Sequence, residues 1–204
     1  MTHKYATIAF TDPVKVAQES AGSRRAYARR DAGPDMNDRL GPAEAAFISQ
    51  RDGFYIATIS QSGWPYVQFR GGPSGFLRVL SDRELGFADY RGNRQYVTTG
   101  NVTTDDRVSL LLMDYANRRR LKIFGRTRVV RADEHPELST QLGAARHPAT
   151  VERAFLIGVE AFDWNCPQHI TPRFTEQEVA KTFSTLPGAE GAICIRAFRA
   201  AALG

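Results

Sequence analysis

A chain of 204 residues, 42% apolar and 24% charged, is long enough to bury a full core without disulfide or metal staples. Its two cysteines, Cys166 and Cys194, match no zinc or redox spacing, and no apolar run approaches a membrane span. The net charge of +5, with pI near 9.5 and carried mostly by arginine, admits nucleic acid and anionic cofactors alike. The N-terminus lacks the basic, apolar, small-residue order of a signal peptide, so a cytoplasmic protein is expected.

Residues 1–40 read as an extension, with residues 41–204 as the main domain. Asp12 and Pro13 start a short helix over 12–20, and a basic segment ending in turn residues follows it. Pro42 opens a helix over 42–52. FYIATIS (54–60) and PYVQFRG (65–71) then form a hairpin around QSG. The second run alternates, with Tyr66, Gln68 and Arg70 on one face and Val67 and Phe69 on the other. FLRVL (76–80) and ELGFA (84–88) are two further strands. The stretch DYRGNRQ leads into a helix predicted over roughly 93–100. DRVSLLLMD (106–114) is apolar throughout its interior and reads as a strand buried on both faces, the second face by a partner chain. RRLKIFGRTRVV (119–130) and VERAFLIGVEAFD (151–163) are strands, DEHPELSTQLG (133–143) is helical, and TEQEVAKTFSTL (175–186) is a helix with a Thr175–Glu178 capping box. Strands outnumber helices and most connections are too short for crossover helices, which predicts a mostly antiparallel barrel with peripheral helices.

No Rossmann fingerprint, P-loop, nucleophile elbow or HExxH is present, and the histidines are scattered. No metal site is therefore expected, and any chemistry falls to a bound cofactor. The polar residues available for one are Gln68 and Arg70 on a shared strand face, and Arg91, Asn93, Arg94 and Gln95 at the predicted helix start. There, free N–H groups and two guanidiniums suit an anion. Taken alone, the same stretch reads more readily as a helix start that is merely polar and solvated. The irregular segment FDWNCPQHITPRF (162–174) supplies Trp164, Gln168, His169 and Arg173, as surface packing or as a cover for a flat ring.

Four stretches in order, FYIATISQSGWPYVQFRGGP, LGFADYRGNRQ, DDRVSLLLMDYANRRRLKIFGRTRVV and WNCPQHITPRF, resemble the pyridoxamine 5′-phosphate oxidase-like family of FMN-binding proteins. The resemblance implies a mainly β, α+β fold: a split β-barrel of about six antiparallel strands with Greek-key connections. It also implies a homodimer with FMN at the interface. By position, Gln68, Phe69 and Arg70 would line the flavin ring and ribityl chain, and Asp89 would end the fourth strand. Asn93, Arg94 and Gln95 would grip the phosphate, with Arg91 beside them. Arg120 would reach the flavin of the partner chain, and Trp164 and Arg173 would close over it. Two departures stand out: Gln68 replaces an arginine of the true oxidases and Gln95 a lysine. In QHITPRF, Gln168 and His169 do not reproduce the oxidases' Arg-x-His-x-Arg, although they remain candidates for substrate contact.

These features predict an FMN-dependent oxidoreductase that is not a true pyridoxamine 5′-phosphate oxidase, acting on a small-molecule substrate. The alternative is a non-catalytic flavin- or haem-binding barrel. Nucleic-acid binding is disfavoured, because aromatic residues are not interleaved with the arginines.

Overall fold

The computed structural model describes residues 2–30, 35–143, 150–164 and 166–184. Strand β1 (Thr2–His3) pairs in parallel with β2 (Asp35–Met36). Between them lie α1 (Lys4–Ala9), α2 (Asp12–Ser20), α3 (Arg24–Tyr27) and a 3₁₀ turn, Ala28–Arg30. The core elements follow: α4 (Pro42–Ser49), β3 (Gly53–Ile59), β4 (Pro65–Gly71), β5 (Arg78–Ser81), β6 (Glu84–Tyr90), α5 (Val97–Asn101), β7 (Arg107–Asp114), β8 (Arg119–Arg131), α6 (Pro136–Leu142), β9 (Val151–Trp164) and α7 (Glu176–Ser184). They divide into two compact units, Met1–Met113 with Arg120–Cys166 and Asp114–Arg119 with Pro167–Gly204. Cys194 lies outside the described residues.

Seven strands make one sheet in the order β4-β3-β7-β8-β9-β6-β5, one more strand than the family resemblance implied. β3 and β4 form the expected hairpin, and β9 enters between β8 and β6, which gives the Greek-key connectivity. The sheet curls on itself. β4 and β6 stand first and sixth in hydrogen-bonding order, yet Arg70 on β4 reaches Asp89 on β6 at 2.7 Å. Phe54 on β3 meets Phe87 on β6 edge-on at 5.4 Å, and Phe87 stacks on Phe155 of β9 at 5.0 Å. Alternation supplies this core: Phe54 and Ile56 from β3, Val108, Leu110 and Leu112 from β7, Leu121 and Ile123 from β8. This is the split barrel.

The opposite face of β7 is less covered than its composition predicts. Leu111 and Met113 are only half-buried within one chain. Part of the outer surface carries the N-terminal segment instead. Tyr5 of α1 stacks on Phe124 of β8 at 4.5 Å, and Ala6 is 1% exposed. Asp163 collects Lys122 at 2.9 Å, His3 at 3.4 Å and Arg30 at 3.6 Å. The sequence around Lys4–Ala9 carried no helix signal, because its period is too short to register.

In the second unit, Asp114 accepts the backbone N–H of Asn117 at 3.0 Å, which tightens the turn after β7. Arg173 lies over the Tyr115 ring at 5.0 Å. α7 opens with the predicted capping box: Thr175 N–H donates to Glu178 at 2.7 Å, and Glu178 N–H donates to Thr175 Oγ1 at 3.2 Å.

At the β8–β9 bulge, Glu160 is the extra residue, because Phe124 faces Ala161 and Gly125 faces Val159. A Cβ at Gly125 would stand 2.6 Å from the Gly158 carbonyl oxygen, a backbone atom that cannot swing aside. Gly125→Ala is expected to lower stability by about 1–3 kcal/mol in urea unfolding. Gly100→Ala in α5 is the contrast: nothing lies within 4 Å of its Cβ position. It should be neutral or stabilising by up to about 1 kcal/mol.

Candidate functional site

The register of the first hairpin decides where the polar strand face points. Phe54 faces Arg70, Ile56 faces Gln68 and Thr58 faces Tyr66, so the polar side of β4 shares the barrel-interior face of β3. β4 is an edge strand, and its interior face therefore opens into a cleft instead of closing into core. The apolar side of β4 points outward, with Val67 60% and Phe69 58% exposed.

The cleft has a volume of about 210 Å³, and its lining includes Gln68, Arg70, Asp89, Asn93, Arg94 and Gln95. These sequence-predicted residues are brought together from β4, from the end of β6 and from the loop that follows it. Four others are placed elsewhere. Phe69 lies on the opposite face of β4 and packs on Tyr55 at 5.4 Å. Arg91 turns its guanidinium to Glu152 at 3.8 Å. Arg120 is half-buried on β8, with an Nε that has no hydrogen-bond partner. Trp164 donates its indole N–H to Glu44 at 2.7 Å and meets Phe47 edge-on. Gln168, His169 and Arg173 belong to the second unit, where Gln168 and His169 are exposed.

The loop differs from its predicted form. The helix begins at Val97, not near Asn93, and spans five residues. Arg94 and Tyr96 hold φ of 62° and 54°, in the left-handed region, so the backbone cannot be helical through 94–96. Each such non-glycine residue costs about 1–2 kcal/mol, which its surroundings must offset. Asn93 Oδ1 accepts the Gln95 N–H at 3.2 Å, an Asx-type turn inside the loop. Two side-chain bonds dock the short helix on the hairpin. Thr98 Oγ1 donates to Gln68 Oε1 at 2.8 Å, and Asn101 Nδ2 donates to Thr58 Oγ1 at 2.9 Å.

A charge network forms the floor. The Asp89 carboxylate, 8% exposed, takes Arg70 Nη1 at 2.7 Å on one oxygen and lies 3.1 Å from Arg153 Nε on the other. Arg70 also lies over the rings of Phe155 and Phe87, at 5.5 and 5.8 Å. Glu152 is the extra residue of a bulge in β9, because Asp89 faces Arg153 and Tyr90 faces Val151. It pairs with Arg153 and accepts the Tyr96 hydroxyl at 3.1 Å. Burial raises the Asp89 carboxyl above its ordinary value, against the pull of Arg70 and Arg153. Burial would raise Glu152 too, but hydrogen bonds from Tyr96 and Arg153, with the charges of Arg153 and Arg91, outweigh it and hold Glu152 low.

Sequence reading missed Tyr96, Glu152 and Arg153. An adjacent Glu-Arg pair at a strand start is unremarkable alone, and only the β6–β9 register sets it beside Asp89. Among the described residues Arg94 has no hydrogen-bond or ion-pair partner, and no group of three or more metal-ligating side chains forms. No described helix is long and apolar enough to cross a membrane.

Residues 40–163 match the family model described as Pyridoxamine 5′-phosphate oxidase, and the chain belongs to that family. Solved structures similar to it include HupZ of Group A Streptococcus, at 11% identity and TM-score 0.48, covering 66% of this chain and 99% of that one. General Stress Protein 26 from Bacillus anthracis is 14% identical at TM-score 0.42, covering 64% of this chain and 92% of that one. An FMN-binding protein from Syntrophomonas wolfei is 7% identical at TM-score 0.46, covering 76% and 96%. No curated protein matches.

The raised Asp89 value has a definite sign. Its stabilising contribution is present below the unfolded value near 3.8 and is lost as pH rises through the higher folded value. The stability of the wild type minus that of Asp89→Asn should therefore fall as pH rises through this window, measured by urea unfolding at successive pH values. The ¹³C carboxyl signal of Asp89 should titrate above 3.8.

Proposed function

We propose that the protein is an FMN-dependent oxidoreductase, with the flavin phosphate held at the Asn93–Gln95 loop and the ring running over Gln68 and Arg70. The observation that carries this reading is the unpartnered Arg94 at the rim of a polar cleft, in a chain of this family. The donor set fits an FMN phosphate: one free guanidinium, the amides of Asn93 and Gln95, and irregular backbone whose N–H groups are not committed to a helix. Arg70 Nε, buried and without a hydrogen-bond partner, is a donor left over for a ligand acceptor.

Bound FMN would supply the hydride-accepting ring, and the donor would be a small organic molecule or a reduced nicotinamide. The chain's part is binding and electrostatics. Arg94 neutralises the phosphate. Gln68, held by Thr98, presents its amide to the cleft. Arg70, fixed by Asp89 and two aromatic faces, places positive charge where negative charge would develop on a reduced ring. Arg120 Nε, also buried and unpartnered, and the aromatic Trp164 are proposed as contacts to the flavin bound mainly by the partner. Arg173 would close over the same ring, and Gln168 and His169 would meet substrate. Gln68 and Gln95, standing where the true oxidases carry cations, argue against vitamin B6 phosphate as the substrate.

A cleft of about 210 Å³ is too small for a whole flavin nucleotide, so a second copy of the chain is proposed to complete the site in a cytoplasmic homodimer. The outer face of the hairpin, with Val67 and Phe69 exposed, and the exposed Trp64 of its turn offer the apolar surface for it.

Arg94→Ala is expected to weaken FMN binding by about 1.5–3 kcal/mol, read by quenching of flavin fluorescence. Unchanged affinity in a folded variant contradicts this phosphate position. Bleaching of the bound flavin by NADH or NADPH, recovered in air, separates an enzyme from a carrier. The charge-introducing pair Val67→Glu and Phe69→Glu should shift the protein to monomer in light scattering and lower its flavin content.

A further inference from the structure

The loop between β6 and α5 is clamped at both ends to the start of β9. At its front, Arg91 N–H donates to the Thr150 carbonyl at 3.0 Å, and the Arg91 guanidinium lies 3.8 Å from Glu152. At its back, the Tyr96 ring covers the Arg153 guanidinium at 4.3 Å, and the Tyr96 hydroxyl donates to Glu152. Between these clamps the described loop has one internal bond, Gln95 N–H to Asn93, with the unpartnered Arg94 at its crown. The backbone at Tyr96 is left-handed, where an aromatic residue gains nothing from its own conformation. The Tyr96 carbonyl caps α5 by accepting the Gly100 N–H at 2.8 Å, and the two side-chain contacts are what join this position to β9.

We propose that Tyr96 is a positioning residue for the phosphate of the flavin nucleotide: it pins the loop to Glu152 and Arg153 so that Arg94 stands at the cleft before the ligand arrives. The inference rests on the FMN reading above and adds a residue to it. The physical basis is preorganisation. A loop already arched in its binding form spends no affinity on ordering, whereas a released loop loses that advantage before the phosphate contact forms. Arg153 is itself held by ion pairs to Asp89 and Glu152, so the cleft floor does not depend on Tyr96. Tyr96 acts through Arg94 and need not touch the flavin ring.

This predicts a selective effect. The ring of the ligand is held by the hairpin and the floor, and only its phosphate depends on the arch. Riboflavin, which lacks the phosphate, is therefore the discriminating probe. Two variants separate the tether from the backbone. Tyr96→Phe keeps the ring over Arg153 and removes the bond to Glu152. Tyr96→Gly removes both contacts while relieving the left-handed strain, so its fold is favoured locally.

Flavin-free protein is titrated with FMN and with riboflavin, and fluorescence quenching gives both dissociation constants. Tyr96→Phe should weaken FMN about tenfold and Tyr96→Gly by more, while riboflavin affinity stays within about twofold in each. Wild-type FMN affinity in Tyr96→Gly overturns the proposal. So does an equal loss for FMN and riboflavin, since that is the mark of a merely structural role. If wild-type protein binds neither compound, the FMN reading itself falls and the proposal with it. Wild-type binding with unaltered variants overturns the proposal alone.

Discussion

The Asp89 carboxylate, buried between two guanidiniums, is the constraint on which the site depends. Arg70 comes from β4, Asp89 from β6 and Arg153 from β9, so one carboxylate ties three strands at the seam where the barrel curls shut. A charge so placed is costly unless paired, and losing Asp89 would leave the Arg70 guanidinium without its ion-pair partner at the barrel wall. The aromatic faces of Phe87 and Phe155 take the remaining surface of Arg70. The seam is thus built from paired polar groups where a continuous barrel would have interdigitated apolar ones. That is why it opens as a cleft.

The loop above the seam follows from the same network. α5 is too short to be stable alone and is held by Thr98 on Gln68 and Asn101 on Thr58. Its preceding residues cannot extend it, because Arg94 and Tyr96 are left-handed. The loop is instead fastened to the bulged start of β9, where the extra residue Glu152 receives both Tyr96 and Arg153. A bulge here does mechanical service: it lets two consecutive charged side chains serve one network, Glu152 on Tyr96 and Arg153 on Asp89, where a regular strand would send them to opposite faces.

The outer surface divides between two uses. The N-terminal segment covers part of it, anchored by Tyr5 on Phe124 and by three cations on Asp163. The β3–β4 hairpin is left bare, with its largest apolar side chains in solvent. Two of the basic residues of the N-terminal segment have partners within the chain. Arg30 serves an ion pair, and Arg24 bonds Gln18 at 2.9 Å.

The order and type of the barrel strands were legible in the sequence, because a two-residue alternation and short turns are local properties. So were the grouping of Gln68 with Arg70 and the capping of α7 by Thr175. The helix start near Asn93 was not, since left-handed φ at an arginine and a tyrosine has no local signature. Alternation also could not say which face of β4 lies inside. The usual expectation of apolar residues inward is reversed there: the register with β3 turns Gln68 and Arg70 into the barrel and Val67 and Phe69 out of it. The sequence by itself determined the strands, which residues share a strand face and the residues available to bind an anion. Tertiary structure alone decided that Glu152 and Arg153, some sixty residues from Asp89 and Arg91, brace the residues of the site, because a charge pair between distant strands exists only once the sheet has curled and its register is set.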